Sequence, residues 1–265
     1  MSNVKLPVRD GAVHFVTEGG CARITFDRPD ARNAMTWAMY ERLRAICEQL
    51  RNDASVRVVR FQGAGGEAFV AGTDIAQFAT FTSGDDGVRY EEGITRVVNR
   101  LEDVGVPTVA AVRGFCVGGG LAIAAACDLR VATRSARFGV PIARTLGNCL
   151  SMNTFSLLVS HLGPARTLDV LLRARLLTGE QAHAAGFVAE LCDDDTLDEV
   201  VAGTAATLLQ HAPLSMWAAK QAAVRMRRAA LPDGDDIVRR VFGSQDFRDA
   251  VQAFAAKQRV TWTGR

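Results

Sequence analysis

The sequence predicts an α/β core followed by a helical C-terminal region, and three observations carry that reading. Over residues 13–133, short runs rich in β-forming residues alternate with segments of helical periodicity. Two glycine-rich segments join those runs, and from about residue 195 onward the pattern is almost entirely helical. In order, 13–17 and 22–26 read as the opening strands, followed by 56–62, 108–113 and 129–133. Between them, 37–52 places Met39, Leu43, Ile46 and Leu50 on one face with Thr36 as its cap, and 88–104 reads as a second amphipathic helix. Alanine-rich segments 195–210, 214–230 and 246–258 are separated at Pro213 and at Pro232-Asp-Gly234. Residues 1–195 are therefore expected to form the core and residues 196–265 a helical region.

With 265 residues, 48% apolar and 23% charged, the chain can bury a substantial core and lies outside the disordered range. At roughly 150 residues per domain, one large domain or one with an appendage fits. A net charge of +2 creates no field that would recruit nucleic acid or an anionic membrane surface. The longest apolar stretches, such as 121–126, are far shorter than the roughly 20 residues a bilayer requires. The N-terminal MSNVKLPVRDG contains no apolar signal core. A soluble cytoplasmic protein is the expectation. Cys21, Cys47, Cys116, Cys127, Cys149 and Cys192 form no C-x-x-C pair, which points to reduced, mostly buried thiols rather than a disulfide framework or a zinc site. Cys149 alone sits in a plainly irregular stretch where a reactive thiol could be exposed.

The two glycine-rich segments are where chemistry could reside. In the first, Gly63-x-Gly65-x-x-Ala68 formally satisfies a dinucleotide-binding fingerprint, but that reading needs a helix starting at Gly65, and Gly72 disfavours a long one. In the second, a β run passes through Gly118-Gly119-Gly120 directly into an apolar helix. A helix that begins on glycine presents unpaired N–H groups with no side chain in the way, and its dipole adds positive potential, as a developing oxyanion requires. Equally, the glycines could serve only to pack a buried helix against the sheet.

Taken together, the segments Ala68-Phe-Val-Ala-Gly-Thr-Asp-Ile75, Pro107-Thr-Val-Ala-Ala-Val-Arg-Gly-Phe-Cys-Val-Gly-Gly-Gly-Leu-Ala122 and Cys127-Asp-Leu-Arg130 resemble the enoyl-CoA hydratase/isomerase (crotonase) superfamily. Phe26-Asp-Arg-Pro-Asp-Ala-Arg-Asn-Ala-Met35, Ala136-Arg-Phe-Gly139, Leu177-Thr-Gly179 and Ala185-Gly-Phe-Val-Ala-Glu190 extend the likeness in order along the chain. The resemblance implies a crotonase-like spiral of ββα repeats with a C-terminal helical trimerisation region, assembled as a homotrimer or dimer of trimers. It implies an acyl-CoA thioester substrate, with no cofactor beyond the coenzyme A it carries. The thioester carbonyl would sit between the backbone N–H groups of Thr73 and Gly119. Coenzyme A would contact Asp30, Ala31, Arg32, Ala71, Asp74 and Ile75, with Phe254 and Lys257 closing over the nucleotide. Asp74 could instead cap the following helix, and Phe254 could instead belong to the core.

Hydration next to a thioester calls for two carboxylates flanking a water. By the same resemblance they belong just inside the Gly-Gly-Gly helix and in the loop after the Phe-Gly turn, where this chain has Ala122 and Ile142, or Ala143 in the neighbouring register. No Asp or Glu occurs anywhere from Leu129 to Arg166, so no small shift of register supplies one. Arg144, in that loop, could anchor an acyl carboxylate or pair with a surface acid. His14, His161, His183 and His211 lie away from the motif loops, and Asp128 reads as structural. Three functions follow. An enzyme using the oxyanion hole for a reaction other than two-glutamate hydration leads. A non-catalytic acyl-CoA-binding member is the alternative, and a nicotinamide-dependent oxidoreductase is the remote one.

Overall fold

The computed structural model describes residues 11–265, so residues 1–10 of the N-terminal stretch lie outside the described residues. Strands β1 (Ala12–Glu18) and β2 (Cys21–Asp27) form a hairpin closed by Gly19 and Gly20, both at positive φ, the backbone that a two-residue turn between twisted strands demands. Alternation along β2 buries Ala22, Ile24 and Phe26. Helix α1 (Trp37–Leu50) starts where Thr36 accepts a hydrogen bond from the Met39 N–H, and it buries Met39, Leu43, Ile46 and Leu50.

Three ββα units follow. The first is β3 (Val58–Gly63), β4 (Ala68–Ala71), a 3-10 turn at Ile75–Thr80 and α2 (Gly84–Glu102). At the start of α2 the Asp86 carboxylate accepts from the Thr82 and Ser83 N–H groups at 2.8 and 2.9 Å. The second unit is β5 (Thr108–Val112), β6 (Phe115–Val117) and α3 (Gly119–Ala126). The third is β7 (Leu129–Thr133), β8 (Arg137–Gly139), the short α4 (Ile142–Thr145) and α5 (Met152–Leu172), the last broken by Gly163 at φ 71 ahead of Pro164. Then come β9 (Leu177–Thr178), α6 (Gly179–Ala184), β10 (Glu190–Cys192), α7 (Leu197–Gln210), α8 (Pro213–Arg228), α9 (Asp235–Phe242) and α10 (Gln245–Ala255).

In each unit the first strand joins a six-stranded sheet, β1-β2-β3-β5-β7-β10, and the second joins a four-stranded sheet, β4-β6-β8-β9. Pairing is parallel except in β1–β2 and β8–β9. This alternation between sheets is the spiral of ββα repeats that the resemblance implied. The main core lies between these layers, and Leu197, Val201 and Ala205 of α7 cover Val58, Val109 and Val131 on the large sheet. A separate aromatic cluster of Phe78, Phe242 and Phe247 ties the 3-10 turn to α9 and α10.

The sequence reading missed β4, β6, β8, β9 and β10, which span two to four residues each. Strands that short carry no usable periodicity, and the second sheet is set by tertiary pairing. The glycine-rich loop 63–68 contains no helix, with Gly65 at φ 78, so the nicotinamide reading loses the feature it required. All six cysteines are unpaired, and four of them are buried. Among the described residues no helix is long and apolar enough to cross a membrane.

Candidate active site

Polar contacts hold the segments on both sides of β4: Asn33 ties down the connection before it, and Met35 the loop after it. Asn33 Oδ1 accepts from the Arg28 N–H at 2.9 Å, and its Nδ2 donates to the carbonyls of Ala64 and Ala68 at 2.9 and 2.8 Å. Met35 donates to the Gly72 carbonyl at 2.8 Å and accepts from the Asp74 N–H at 2.9 Å. In such a parallel bridge the residue between those two turns its own N–H to the other side, so the Thr73 amide faces away from Met35.

Across from it, α3 begins at Gly119 after Gly118 at φ 54. Among the described residues, neither the Thr73 nor the Gly119 N–H donates to a backbone carbonyl, and both residues line one cavity of about 210 Å³. The Thr73 side chain is fixed by two phenols: its Oγ1 lies 2.8 Å from Tyr40 Oη and 2.9 Å from Tyr90 Oη. The packing explains the glycines. A Cβ on Gly119 would sit 2.3 Å from Tyr40 Oη, and one on Gly120 would sit 2.1 Å from the Val70 carbonyl oxygen. Close packing and an exposed helix start are therefore both satisfied by the same triplet. At the other end of α3, Arg130 donates to the carbonyls of Ala124 and Cys127 at 3.1 and 2.7 Å.

Ala71 and Ile75 line the cavity, as does Phe254 on α10, although its ring is about half exposed. Ile142 lines it too, while Ala122 is buried within α3 outside the lining. Asp74 caps the 3-10 turn, accepting from the Ala76 N–H at 3.1 Å, and pairs with Arg28 at 2.8 Å. Asp30 and the half-buried Ala31 lie in the 3-10 turn Pro29–Ala31, Asp30 exposed, and the Arg32 guanidinium lies over the Phe115 ring. Lys257 and Arg144 are exposed and lie outside the cavity lining.

Burial pushes the half-buried Cys149 thiol up to about 12, which argues against a reactive thiolate. Asp128 is structural, accepting from Thr108 and from Lys220 at 2.8 Å. No histidine lines the cavity; His161 bonds the Ala125 carbonyl, and burial lowers its pKa to about 4.

One residue that the sequence reading overlooked is Glu91. It sits on the cavity side of α2, only 5% exposed, and accepts from the Ser151 N–H at 2.8 Å. Burial pushes its pKa up to about 7, against the lowering effect of the Ser151 hydrogen bonds. Among the described residues it has no ion-pair partner and is the only carboxyl in the cavity lining. The available signal was a carboxylate on the apolar stripe formed by Val88, Ile94 and Val98.

The profile of the enoyl-CoA hydratase/isomerase family matches residues 16–265. The chain belongs to this family. Among its relatives, a short-chain-enoyl-CoA hydratase from Clostridium acetobutylicum is 29% identical over 92% of this chain and 94% of its own. The 1,2-epoxyphenylacetyl-CoA isomerase of Escherichia coli is 30% identical over 94% of this chain and 97% of its own. A solved enoyl-CoA hydratase/carnithine racemase from Magnetospirillum magneticum shares 30% identity and a TM-score of 0.78, covering 97% of this chain and 98% of that one. Family membership makes this an enoyl-CoA hydratase/isomerase-like protein of crotonase fold that handles acyl-CoA.

Proposed function

We propose that the protein is an acyl-CoA enzyme that receives the thioester carbonyl between the N–H groups of Thr73 and Gly119 and stabilises the enolate formed there. The observation that carries this reading is the pair of amides without backbone acceptors on one cavity, one of them at the first turn of α3. Reactions beside a thioester pass through an enolate-like species, and one preorganised donor is typically worth about 3–4 kcal/mol of its barrier. Ala71 and Ile75 would hold the pantetheine arm along the lining, with Asp30, Ala31 and Arg32 at the adenine end and Phe254 and Lys257 closing over the nucleotide. Asp74 would act in that strip by fixing Arg28 and the turn, and Arg144, on α4 between the lining residues Ile142 and Thr145, would anchor an acyl carboxylate.

Exposed Leu168 and Leu172 on α5 and Leu214 and Met226 on α8 support assembly as a homotrimer or a dimer of trimers, with 196–265 as the helical region. Six unpaired thiols support a cytoplasmic setting. A non-catalytic acyl-CoA-binding role is the second reading, favoured by Ala122 and Ile142 at the positions expected to carry hydratase carboxylates. Calorimetry tests the first. A thioester should bind more tightly than free coenzyme A, because only it offers a carbonyl oxygen to the two amides, and equal affinities would remove the assignment. Absence of turnover across a broad thioester panel, with tight binding, would favour the second reading.

A further inference from the structure

We propose that Glu91 is the catalytic acid/base of this cavity, a single carboxyl that relocates a proton along the acyl chain instead of adding water across it. This rests on the reading of the cavity as a thioester site and supplies the proton carrier that reading lacks. Its placement carries the proposal. Glu91 comes from α2 into the lining that also holds Thr73 and Gly119, and its carboxyl is almost fully buried, hydrogen-bonded to Ser151 and, among the described residues, without an ion-pair partner. Burying a carboxyl without a countercharge costs free energy, and groups so perturbed cluster at functional sites.

The groups facing it are Tyr90 on its own helix, Tyr40 from α1, and Cys149 and Ser151 from the segment leading into α5. The phenols and the thiol stay neutral near pH 7 because burial raises all three. Glu91 is thus left as the only group of this set that titrates in that region, at about 7, close to the working optimum for a general base.

The step balances with one carboxyl. In a 3-enoyl thioester, the Glu91 carboxylate takes a proton from C2, and the C–H electron pair forms a dienolate whose oxygen lies between the two amides. The protonated Glu91 then returns that proton at C4, the double bond moves to C2–C3, and no atom or electron is gained or lost. Water addition needs a second group to activate and orient the water, and this lining offers no second carboxyl.

The experiment follows the conversion of 3-hexenoyl-CoA to 2-hexenoyl-CoA and, with butyryl-CoA in D2O, deuterium entry at C2. Both are measured in the natural protein and in Glu91→Gln, alongside calorimetric binding of each thioester. The expected result is that both reactions occur in the natural protein and that kcat/KM rises tenfold per pH unit below about 7 and levels off above it. Glu91→Gln should lower both rates about 10²–10⁴-fold while binding stays within a few-fold. Cys149→Ala should leave the pH profile in place. Tight thioester binding with no exchange in the natural protein, or exchange unaffected by Glu91→Gln, would overturn the assignment of Glu91. Failure to bind any thioester takes down the reading of the cavity and this proposal together.

Discussion

Replacing Gly119 with alanine tests the geometry of the candidate oxyanion hole through a single methyl group. The added Cβ would lie 2.3 Å from Tyr40 Oη and 3.4 Å from Thr73 Oγ1. Tyr40 is buried in the main core, so its ring cannot swing away without disturbing α1. Such overpacking typically costs about 1–3 kcal/mol, a fall in Tm of roughly 2–10 °C for a chain of this size. The same displacement breaks the Tyr40–Thr73–Tyr90 hydroxyl chain that fixes one donor and moves the other. Turnover should drop about 10²–10³-fold, the usual effect of losing one oxyanion donor.

The geometry also specifies the remedy. With the phenol oxygen gone, the nearest Tyr40 atom is Cζ at 3.5 Å, an ordinary contact. Gly119→Ala combined with Tyr40→Phe should therefore recover most of the lost Tm, leaving about 1 kcal/mol for the missing hydrogen bond to Thr73. Differential scanning calorimetry of the two single variants and the double variant, with thioester titrations on each, completes the cycle. A Gly119→Ala protein with unchanged Tm and unchanged turnover would refute the placement of Tyr40 against the helix start. So would a double variant no more stable than Gly119→Ala alone.

Further outcomes follow from the same contacts. Asn33→Ala removes three side-chain hydrogen bonds, two of them buried, at a residue with φ 57, and should lower stability by about 2–4 kcal/mol in urea unfolding and weaken thioester binding by loosening the connection into β4. Glu91 has a folded pKa raised to about 7, so the native state holds its proton more tightly than the unfolded chain and loses that advantage as pH climbs from the ordinary carboxyl range through 7. Glu91→Gln should therefore be the more stable protein at pH 8–9, by on the order of 3 kcal/mol, and show no such gain near pH 4, as urea unfolding at each pH will read. Crotonyl-CoA should bind measurably while its hydration is slow or undetectable, and Ala122→Glu with Ile142→Glu should restore only part of that activity; brisk hydration by the natural sequence would contradict this.

The long elements were legible because their signals are local. Thr36 caps α1 as its side chain dictates, the 3.6-residue stripe along α1 is the buried one, and Leu129–Thr133 is a strand with the expected bounds. The four-stranded sheet was not legible, since β4, β6 and β8 are stabilised by pairing across about 20–50 residues of sequence, with no periodicity of their own. In the candidate site, motif resemblance pointed to Thr73 and Gly119, which line one cavity. Glu91 was not marked by any motif, because residues 129–166 carry no carboxylate and the fold delivers one from α2, through the packing that sets Glu91 against the Ser151 amide. Asp74 shows the converse. Its candidate role was read from position, and the structure adds that its carboxylate pairs with Arg28 and caps the 3-10 turn at the Ala76 N–H.

The most direct test of the central claim is the carbonyl signal of a bound thioester, read by infrared difference spectroscopy with a 13C-labelled acyl-CoA. Two amide donors on the carbonyl oxygen polarise the C=O bond, so its stretch should shift to lower frequency on binding, and Gly119→Ala should reduce that shift in step with the logarithm of lost turnover. A bound thioester whose carbonyl band stays at its solution frequency would contradict the account.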